Sequence, residues 1–313
     1  MQILIIGGTR FQGKYLIGEL LKGDHHVTVF HRGMHVLDSN PKITEVLGDR
    51  NSIDDLKKIP HKNYDWLIDT CAYLPLQCSH VLNILGQHLQ KICFISSAYV
   101  YKDFSPDINE DASLKHPLVT LDVTPANYGS LKIMCENIYS KHGLENILIL
   151  RPSIIIGNGD HTGRLAFWLM LSRRFNSLTK LEKSINKKIS VIDVRDLTGF
   201  TAQSLSDGLT GVFNLNGHCV SLNEMLSIFY KQSSKNENTV FEVTETKLKT
   251  LGIKKSALPF LENDQSEEFN FQKAQERGLK IRSLESTLQD FSNQPMPLGL
   301  PETYVSLIKN ILK

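Results

Sequence analysis

A glycine-rich turn directly after the first apolar segment constrains the fold of this 313-residue chain more than any other feature. The patterns predict a buried strand over Ile3–Ile6 and a helix over Phe11–Lys22, where apolar residues recur at helical intervals. The turn between them reads Gly7-Gly8-Thr9-Arg10-Phe11-Gln12-Gly13. Such a turn lets backbone N–H groups approach a pyrophosphate at the positive end of the helix dipole, so it predicts dinucleotide binding. The alternative is a tight turn whose last glycine only packs the helix against the strand.

Apolar runs and helical stretches continue to alternate through residues 1–150. Further strands are predicted at Val27–Phe30, Ile43–Leu47, Trp66–Ile68, Ile92–Ile95 and Ile147–Leu150, and further helices at Val81–Leu89 and Tyr128–His142. Continuous apolar strands separated by helices indicate a parallel sheet that is covered on both faces. Because crossovers are right-handed, the simplest topology is an α/β fold with a doubly wound parallel (Rossmann) sheet.

The alternation becomes less regular after Arg151-Pro152. Helices are predicted over Arg164–Phe175, from Asp196 and from Ser221, strands over Ile189–Ile192 and Val212–Leu215, and a polar loop over Lys231–Thr239. Ser221 is a good N-cap because Glu224 follows three residues later. We therefore predict a dinucleotide-binding domain over residues 1–152. A smaller C-terminal α+β substrate region, partly integrated with the sheet, is predicted over residues 153–313.

Charge and residue usage exclude several other classes of protein. The formal net charge of +2 argues against a broad surface for nucleic acid or anionic membranes. The apolar runs are far shorter than the roughly 20 residues of a membrane span, and no basic leader of a signal peptide is seen. The five cysteines form no C-x-x-C pair and the 11 histidines form no metal-binding motif. We therefore expect a cytoplasmic protein with reduced thiols and no metal.

Two arginines near the predicted turn bear on the choice of cofactor. Arg10 stands where the usual fingerprint has its middle glycine, and the second strand ends in His31-Arg32-Gly33 with no carboxylate. A carboxylate at that end normally binds the ribose 2′-hydroxyl of NAD, whereas an arginine can pair with the 2′-phosphate of NADP. The pattern favours NADP(H) over NAD(H); two solvated surface arginines are the alternative.

Three polar residues at the ends of predicted elements suggest proton transfer. Tyr128 and Lys132 share one face of a helix, and a lysine cation one turn away stabilises a tyrosine phenolate. Tyr128 is therefore a candidate general acid/base. Ser97 follows the fifth strand, where ligands of parallel sheets bind, and could hydrogen-bond the reacting oxygen. Each of the three alone also fits a surface or capping residue; their combination and order point to catalysis.

With these residues identified, the sequence resembles the extended short-chain dehydrogenase/reductase superfamily. The resemblance is to NAD-dependent epimerase/dehydratase-like proteins that carry a G-G-T-R-F-x-G motif. It rests on the glycine turn, on Ser97 followed by Val100-Tyr101, and on Tyr128-x-x-x-Lys132. Segments after the turn fit as well: His31–Gly33, Gly48–Arg50, Arg151-Pro152, Gly157–Asp160, Ile192–Leu197 and Phe213-Asn214. The resemblance covers about residues 1 to 292.

The resemblance implies a role for each matching residue. Ser97, Tyr128 and Lys132 would form the catalytic set, with Lys132 also holding the ribose hydroxyls. Cofactor contacts would come from Gly7, Thr9, Arg10, Phe11, Gln12, Gly13, Arg32, Asp49, Arg50, Cys71, Ala72, Tyr73, Pro152 and Ile154. Asp49 would meet the adenine amino group with Arg50 beside it. Arg164 and Trp168 share a helix face and would contact the substrate; a core tryptophan beside a surface arginine is the alternative.

The leading functional prediction is an NAD(P)-dependent oxidoreductase or epimerase acting on a carbinol or carbonyl carbon. By resemblance only, the substrate would be a small molecule such as a sugar nucleotide. A 4,6-dehydratase is disfavoured because Ala98-Tyr99 follows Ser97 where the resembling dehydratases carry an acid pair. The loops Tyr99–Pro117 and Lys254–Gln265 are expected to flank the substrate.

Two alternatives come from other classes of protein. One is an RNA-binding protein of the chloroplast stem-loop-binding type, whose members share the glycine-rich opening. The other is a non-catalytic NADP(H) sensor. The resemblance also suggests a homodimer formed through the helices bearing Val81–Leu89 and Tyr128, although their apolar faces equally fit packing on the sheet.

Overall fold

The computed structural model describes residues 1–118, 120–174, 178–232, 240–262, 266–293 and 300–311. The strands are β1 Gln2–Ile6, β2 His26–His31, β3 Ile43–Leu47, β4 Tyr64–Asp69, β5 Leu89–Ile95, β6 Ile147–Pro152, β7 Ile154–Ile156, β8 Leu178–Leu181, β9 Lys188–Asp193, β10 Gly211–Leu215, β11 His218–Ser221 and β12 Val240–Val243. The α-helices are α1 Gln12–Lys22, α2 Ile53–Leu56, α3 Pro75–Leu85, α4 Tyr128–Ser140, α5 Arg164–Arg174, α6 Val194–Ser206, α7 Leu222–Lys231, α8 Glu245–Thr250, α9 Gln272–Glu276, α10 Leu284–Ser292 and α11 Glu302–Ile311.

The central element is a seven-stranded sheet in the order β10-β6-β5-β4-β1-β2-β3, and all its neighbouring strands are parallel. The chain reverses direction across the sheet after β3, when β4 returns to the other side of β1. This reversal is the switch point at which doubly wound sheets bind their ligands. The predicted Rossmann fold is confirmed.

Both faces of the sheet are apolar because helices cover both of them. On β1, Ile3 and Ile5 pack with residues of α1 and α6 on one face. Leu4 and Ile6 point to the other face and pack with residues of α3 and α4. The uninterrupted apolar run of β1 is the expected sequence of a strand buried on both sides.

The later part of the chain builds a second core from α5, α7, α10 and α11. Two small sheets accompany it, β11-β9-β7 and β12-β8. Strand β10 returns to the large sheet and pairs with β6. The division of the chain at residue 152 remains a prediction.

Some predicted boundaries need correction. The helix predicted over Val81–Leu89 is wrong at its end, because α3 stops at Leu85, a single 3-10 turn follows, and Leu89 begins β5. The helix expected from Asp196 starts at Val194, with Asp193 as its N-cap. The predicted capping box of Ser221 and Glu224 is confirmed. Phe175, Gln265 and residues 233–239 of the predicted loop lie outside the described residues.

The described residues include neither a membrane-spanning helix nor a metal-binding group. No described helix is long and apolar enough to cross a bilayer. Among the same residues, no three His, Cys, Asp or Glu side chains are grouped so that they could hold a metal ion.

The buried apolar residues of α3 and α4 pack on the sheet. The homodimer through these two helices stays a prediction.

Candidate active site

A cleft of about 1530 Å³ opens at the carboxyl ends of β1, β2, β4, β5 and β6. Parallel strands place their carboxyl ends at one edge, so segments distant in the sequence meet there. The glycine turn forms one end of the cleft, and Ser97, Tyr128 and Lys132 line it further along. These four features, which the sequence analysis assigned to one site, therefore share one cleft.

The three glycine positions of the turn leave no room for a side chain. Gly7 and Gly8 have φ angles of +94° and +91°, which L side chains rarely adopt. A Cβ on Gly13 would lie 2.2 Å from the Gly8 Cα. Gly13 does not itself line the cleft; it brings α1 against the turn. The structure thus shows the packing role of Gly13, and dinucleotide binding at the turn remains a prediction.

Arg10 and Arg32 stand at the turn end of the cleft. Both line it, both are exposed, and neither forms an ion pair within the described residues. His161 lies nearby with its ring 6.4 Å from that of Phe11. Burial lowers the pKa of His161, and the charge of Arg10 lowers it further. The positive charge at this end of the cleft therefore comes from Arg10 and Arg32, and it is available to an anionic ligand.

Unlike Arg10 and Arg32, Arg50 already has an ion-pair partner among the described residues of the protein. Arg50 lines the cleft, but its terminal nitrogens donate to the carboxylate of Asp69 at 2.7 and 2.8 Å. Tyr139 of α4 also donates to Asp69. Burial opposes the charged form of Asp69, yet Arg50 outweighs it and the pKa of Asp69 falls below its usual value. Arg50 therefore stabilises the wall of the cleft through its ion pair. Asp49 lines the cleft beside it.

Three residues of the turn after β4 were predicted to contact the cofactor. Two of them, Cys71 and Tyr73, line the cleft. Ala72 is fully buried and packs with the core between the sheet and α3, so its predicted contact with the cofactor is wrong. Across the cleft, Pro152 and Ile154 contribute apolar surface from the end of β6 and the start of β7.

Lys132 is held under the phenol ring of Tyr128. Its Nζ donates to the Ile95 carbonyl at 2.9 Å and lies 5.8 Å from the centre of the Tyr128 ring. Burial alone would lower the pKa of Lys132, but neighbouring ionisable groups, Tyr128 foremost, raise it above its ordinary value. Lys132 is thus a fixed, buried cation beside the ring of Tyr128.

Ser97 is oriented by the backbone that follows it. Its Oγ accepts a hydrogen bond from the Tyr99 N–H at 3.2 Å, which leaves the hydroxyl proton free to donate. Gly129 allows α4 to reach this loop, because a Cβ there would lie 2.0 Å from the Tyr99 carbonyl oxygen. Sequence reasoning missed Gly129, although it stands inside the Tyr128–Lys132 motif.

Only one of the two residues predicted to contact the substrate, Arg164, lines the cleft. Arg164 lines the cleft at the start of α5. Trp168 is 1% exposed and its indole donates to the Pro259 carbonyl at 3.2 Å, so its predicted contact with substrate is wrong and the core alternative holds. The two expected flanking loops do reach the cleft and supply residues that sequence reasoning did not single out: Lys102, Phe104, Lys115, Phe260 and Glu262.

These features define a Rossmann-type α/β protein with a dinucleotide-sized cleft at its switch point. Among solved structures, a UDP-glucuronic acid 4-epimerase from Bacillus cereus, in complex with UDP-glucuronic acid and NAD, has a TM-score of 0.69 and 18% identity. The match covers 98% of this chain and 100% of that one. Other similar structures are also NAD complexes. At this level of identity the likeness establishes the fold.

Two curated proteins match about half of the chain. A chloroplast stem-loop binding protein of 41 kDa from Arabidopsis thaliana is 30% identical over 172 residues, 50% of this chain and 42% of that protein. A 3-beta-hydroxysteroid dehydrogenase from Mycolicibacterium neoaurum is 26% identical over 185 residues, 51% of this chain and 49% of that protein. The matched stretches thus span less than half of each relative. No family model matches the chain.

Proposed function

We propose that this chain is an NAD(P)-dependent oxidoreductase or epimerase that acts on a carbinol or carbonyl carbon of a small molecule. The observation that carries the proposal is the placement of Tyr128 over the buried Lys132 cation, with Ser97 in the same cleft. The solved structures with this fold include enzymes bound to NAD and sugar nucleotides, which makes a sugar nucleotide the first substrate class to test.

The cleft fits a nicotinamide dinucleotide. Gly7 and Gly8 present backbone without side chains to the cleft, and α1 directs its N-terminus there. The Oε1 atom of Gln12 is buried at the turn without a hydrogen-bond partner among the described residues, as expected of a group that meets a ligand. When bound, the nicotinamide ring supplies the hydride acceptor or donor.

The chain itself moves the proton. In the oxidative direction, the Tyr128 phenolate accepts the proton of the substrate hydroxyl while Ser97 donates a hydrogen bond to the same oxygen. Lys132 stabilises the phenolate before this step, and Ile95 fixes the lysine in place through its carbonyl. Reduction runs the same transfers in reverse, with Tyr128 as the acid.

Tyr128→Phe should reduce turnover by about 100- to 10,000-fold, the range of general acid–base catalysis, and leave cofactor affinity unchanged. With a panel of sugar nucleotides, nicotinamide absorbance follows net oxidation or reduction and product chromatography follows epimerisation, while calorimetry measures cofactor binding. Tyr15→Phe, outside the cleft lining, is the matched control and should keep full turnover. Equal turnover of Tyr128→Phe and wild type would remove Tyr128 from the chemistry, whereas cofactor binding by the wild type without any turnover would favour a cofactor sensor.

We further propose that NADP(H) binds more tightly than NAD(H). Arg10 and Arg32 line the cleft without a described ion-pair partner, and a 2′-phosphate would provide one. Arg32→Ala should weaken NADP⁺ by about tenfold, the size of a charge-assisted hydrogen bond, and leave NAD⁺ unchanged. The exposed Arg277→Ala serves as control. Tighter binding of NAD⁺ by the wild type would refute the preference.

The stem-loop binding relative raises RNA binding as a second candidate. The net charge of +2 and the retained Ser97, Tyr128 and Lys132 favour the enzyme. A salt-dependent RNA shift at physiological ionic strength, together with no cofactor binding, would reverse that ranking.

A further inference from the structure

We propose that the Ser153 hydroxyl binds the carboxamide group of the nicotinamide ring, an inference that rests on the proposed function. Ser153 lies between β6 and β7 and lines the cleft. Neither the resemblance nor the proton-transfer chemistry assigns it a role.

The hydroxyl of Ser153 has no partner within the structure's described ranges. The residue is 6% exposed, and its Oγ is buried without a hydrogen bond. Its backbone N–H is already used, because it donates to the Leu215 carbonyl at 2.9 Å. Buried polar groups nearly always have a partner, so an unpartnered hydroxyl in a cleft wall indicates a group supplied by a ligand or a water.

Ser153 lies at the reacting end of the cleft. Strands β5 and β6 are neighbours in register, with Ile95 opposite Leu150, and Ser96 donates its N–H to the Leu150 carbonyl at 2.7 Å. Ser97 therefore follows the end of one strand and Ser153 the end of the next. A dinucleotide whose diphosphate lies at the glycine turn must present its nicotinamide ring here if Tyr128 is to serve the reaction.

The neighbours of Ser153 determine which part of the ligand fits. Pro152 and Ile154 both line the cleft, and Pro152 has no N–H to donate. The wall is thus apolar on both sides of one hydroxyl. A pyridine ring with one polar substituent matches this pattern, and a carboxamide can both accept from and donate to a serine hydroxyl.

The test compares two ligands that differ in the ring. Calorimetry measures the affinity of wild type and Ser153→Ala for NAD⁺ or NADP⁺, whichever binds more tightly, and for the ADP-ribose that carries the same 2′ group. We expect about fivefold weaker binding of the dinucleotide, the size of one neutral hydrogen bond, and unchanged binding of ADP-ribose. Ser153→Cys, which keeps the size but is a weak donor, should weaken the dinucleotide in the same direction.

Ser204→Ala is the matched control, because Ser204 is 2% exposed, its Oγ also lacks a described partner, and it lies outside the cleft lining. It should change neither affinity. Dinucleotide binding that is unaltered in both Ser153 variants, or an equal loss for the dinucleotide and ADP-ribose, would refute the carboxamide contact while the proposed function stands. If the wild type binds neither ligand, the proposed function itself is wrong and the contact falls with it.

Discussion

Gly13→Val should lower the affinity for the dinucleotide by about 5- to 150-fold, the equivalent of the about 1–3 kcal/mol that overpacking costs. The Cβ of any residue at position 13 would lie 2.2 Å from the Gly8 Cα and 2.6 Å from the Gly8 carbonyl carbon. These are backbone atoms that cannot rotate away, so either α1 or the turn must move. Overpacking of this kind costs about 1–3 kcal/mol in stability, and the displaced turn no longer presents its N–H groups to a diphosphate.

Gly18→Ala gives the matched control on the same helix. A Cβ at Gly18 meets nothing within 4 Å. This substitution should leave affinity unchanged and stabilise the protein by about 0.5–1 kcal/mol, because glycine is unfavourable inside a helix. Calorimetric titration and urea unfolding measure both effects. Wild-type affinity in Gly13→Val would show that the dinucleotide does not bind at this turn.

Arg151→Met should destabilise the protein by about 3–5 kcal/mol, because it leaves the charge of Glu136 buried without its partner. Arg151 donates to Glu136 through Nε at 3.1 Å and Nη2 at 2.7 Å, and Nη1 donates to the Tyr101 hydroxyl at 2.9 Å. Both ionised side chains are nearly fully buried. Burial would lower the pKa of Arg151, but Glu136 raises it above its ordinary value, so the pair stays charged.

The same pair also holds α4, the helix that carries Tyr128 and Lys132, against β6. Glu136 lies one turn beyond Lys132 on α4 and accepts a hydrogen bond from Ser96, the neighbour of Ser97. The double variant Arg151→Met with Glu136→Leu should recover much of the lost stability, since no unpaired charge remains.

An exposed ion pair provides the control for the Arg151 experiment. Lys57, 58% exposed, contacts Asp54 at 2.9 Å, and Lys57→Met should cost less than about 1 kcal/mol. Urea unfolding gives all of these free energies. A loss below about 1 kcal/mol in Arg151→Met would show that the buried pair contributes no more than a surface pair.

The large sheet was predictable from sequence because its strands are buried on both faces. Ile3–Ile6 and Ile147–Leu150 are continuous apolar runs, and glycine or polar residues end them. The short strands β7 and β8 have three and four residues, too few to show a period, and they pair only in the tertiary fold. Their absence from the sequence prediction follows from that shortness.

The candidate site was predictable where spacing along one element fixed it. Tyr128 and Lys132 lie four residues apart on one helix, and the glycine turn is a single segment. The hydrogen-bonded ion pair of Arg50 and Asp69 joins residues that are 19 apart in the sequence. It depends on how β4 lies in the sheet, so no local pattern shows it. Trp168 and Ala72 were misassigned because sequence does not show which side of an element faces a cleft.

The most direct measurement of the central claim is a crystal structure of the chain grown with NADP⁺ or NAD⁺. We expect the diphosphate at Gly7–Gly13 and the nicotinamide ring beside Ser153, with its reactive face toward the hydroxyl of Tyr128. A dinucleotide bound elsewhere, or one whose ring lies at the opposite end from Tyr128, would contradict the enzymatic account and leave only the fold.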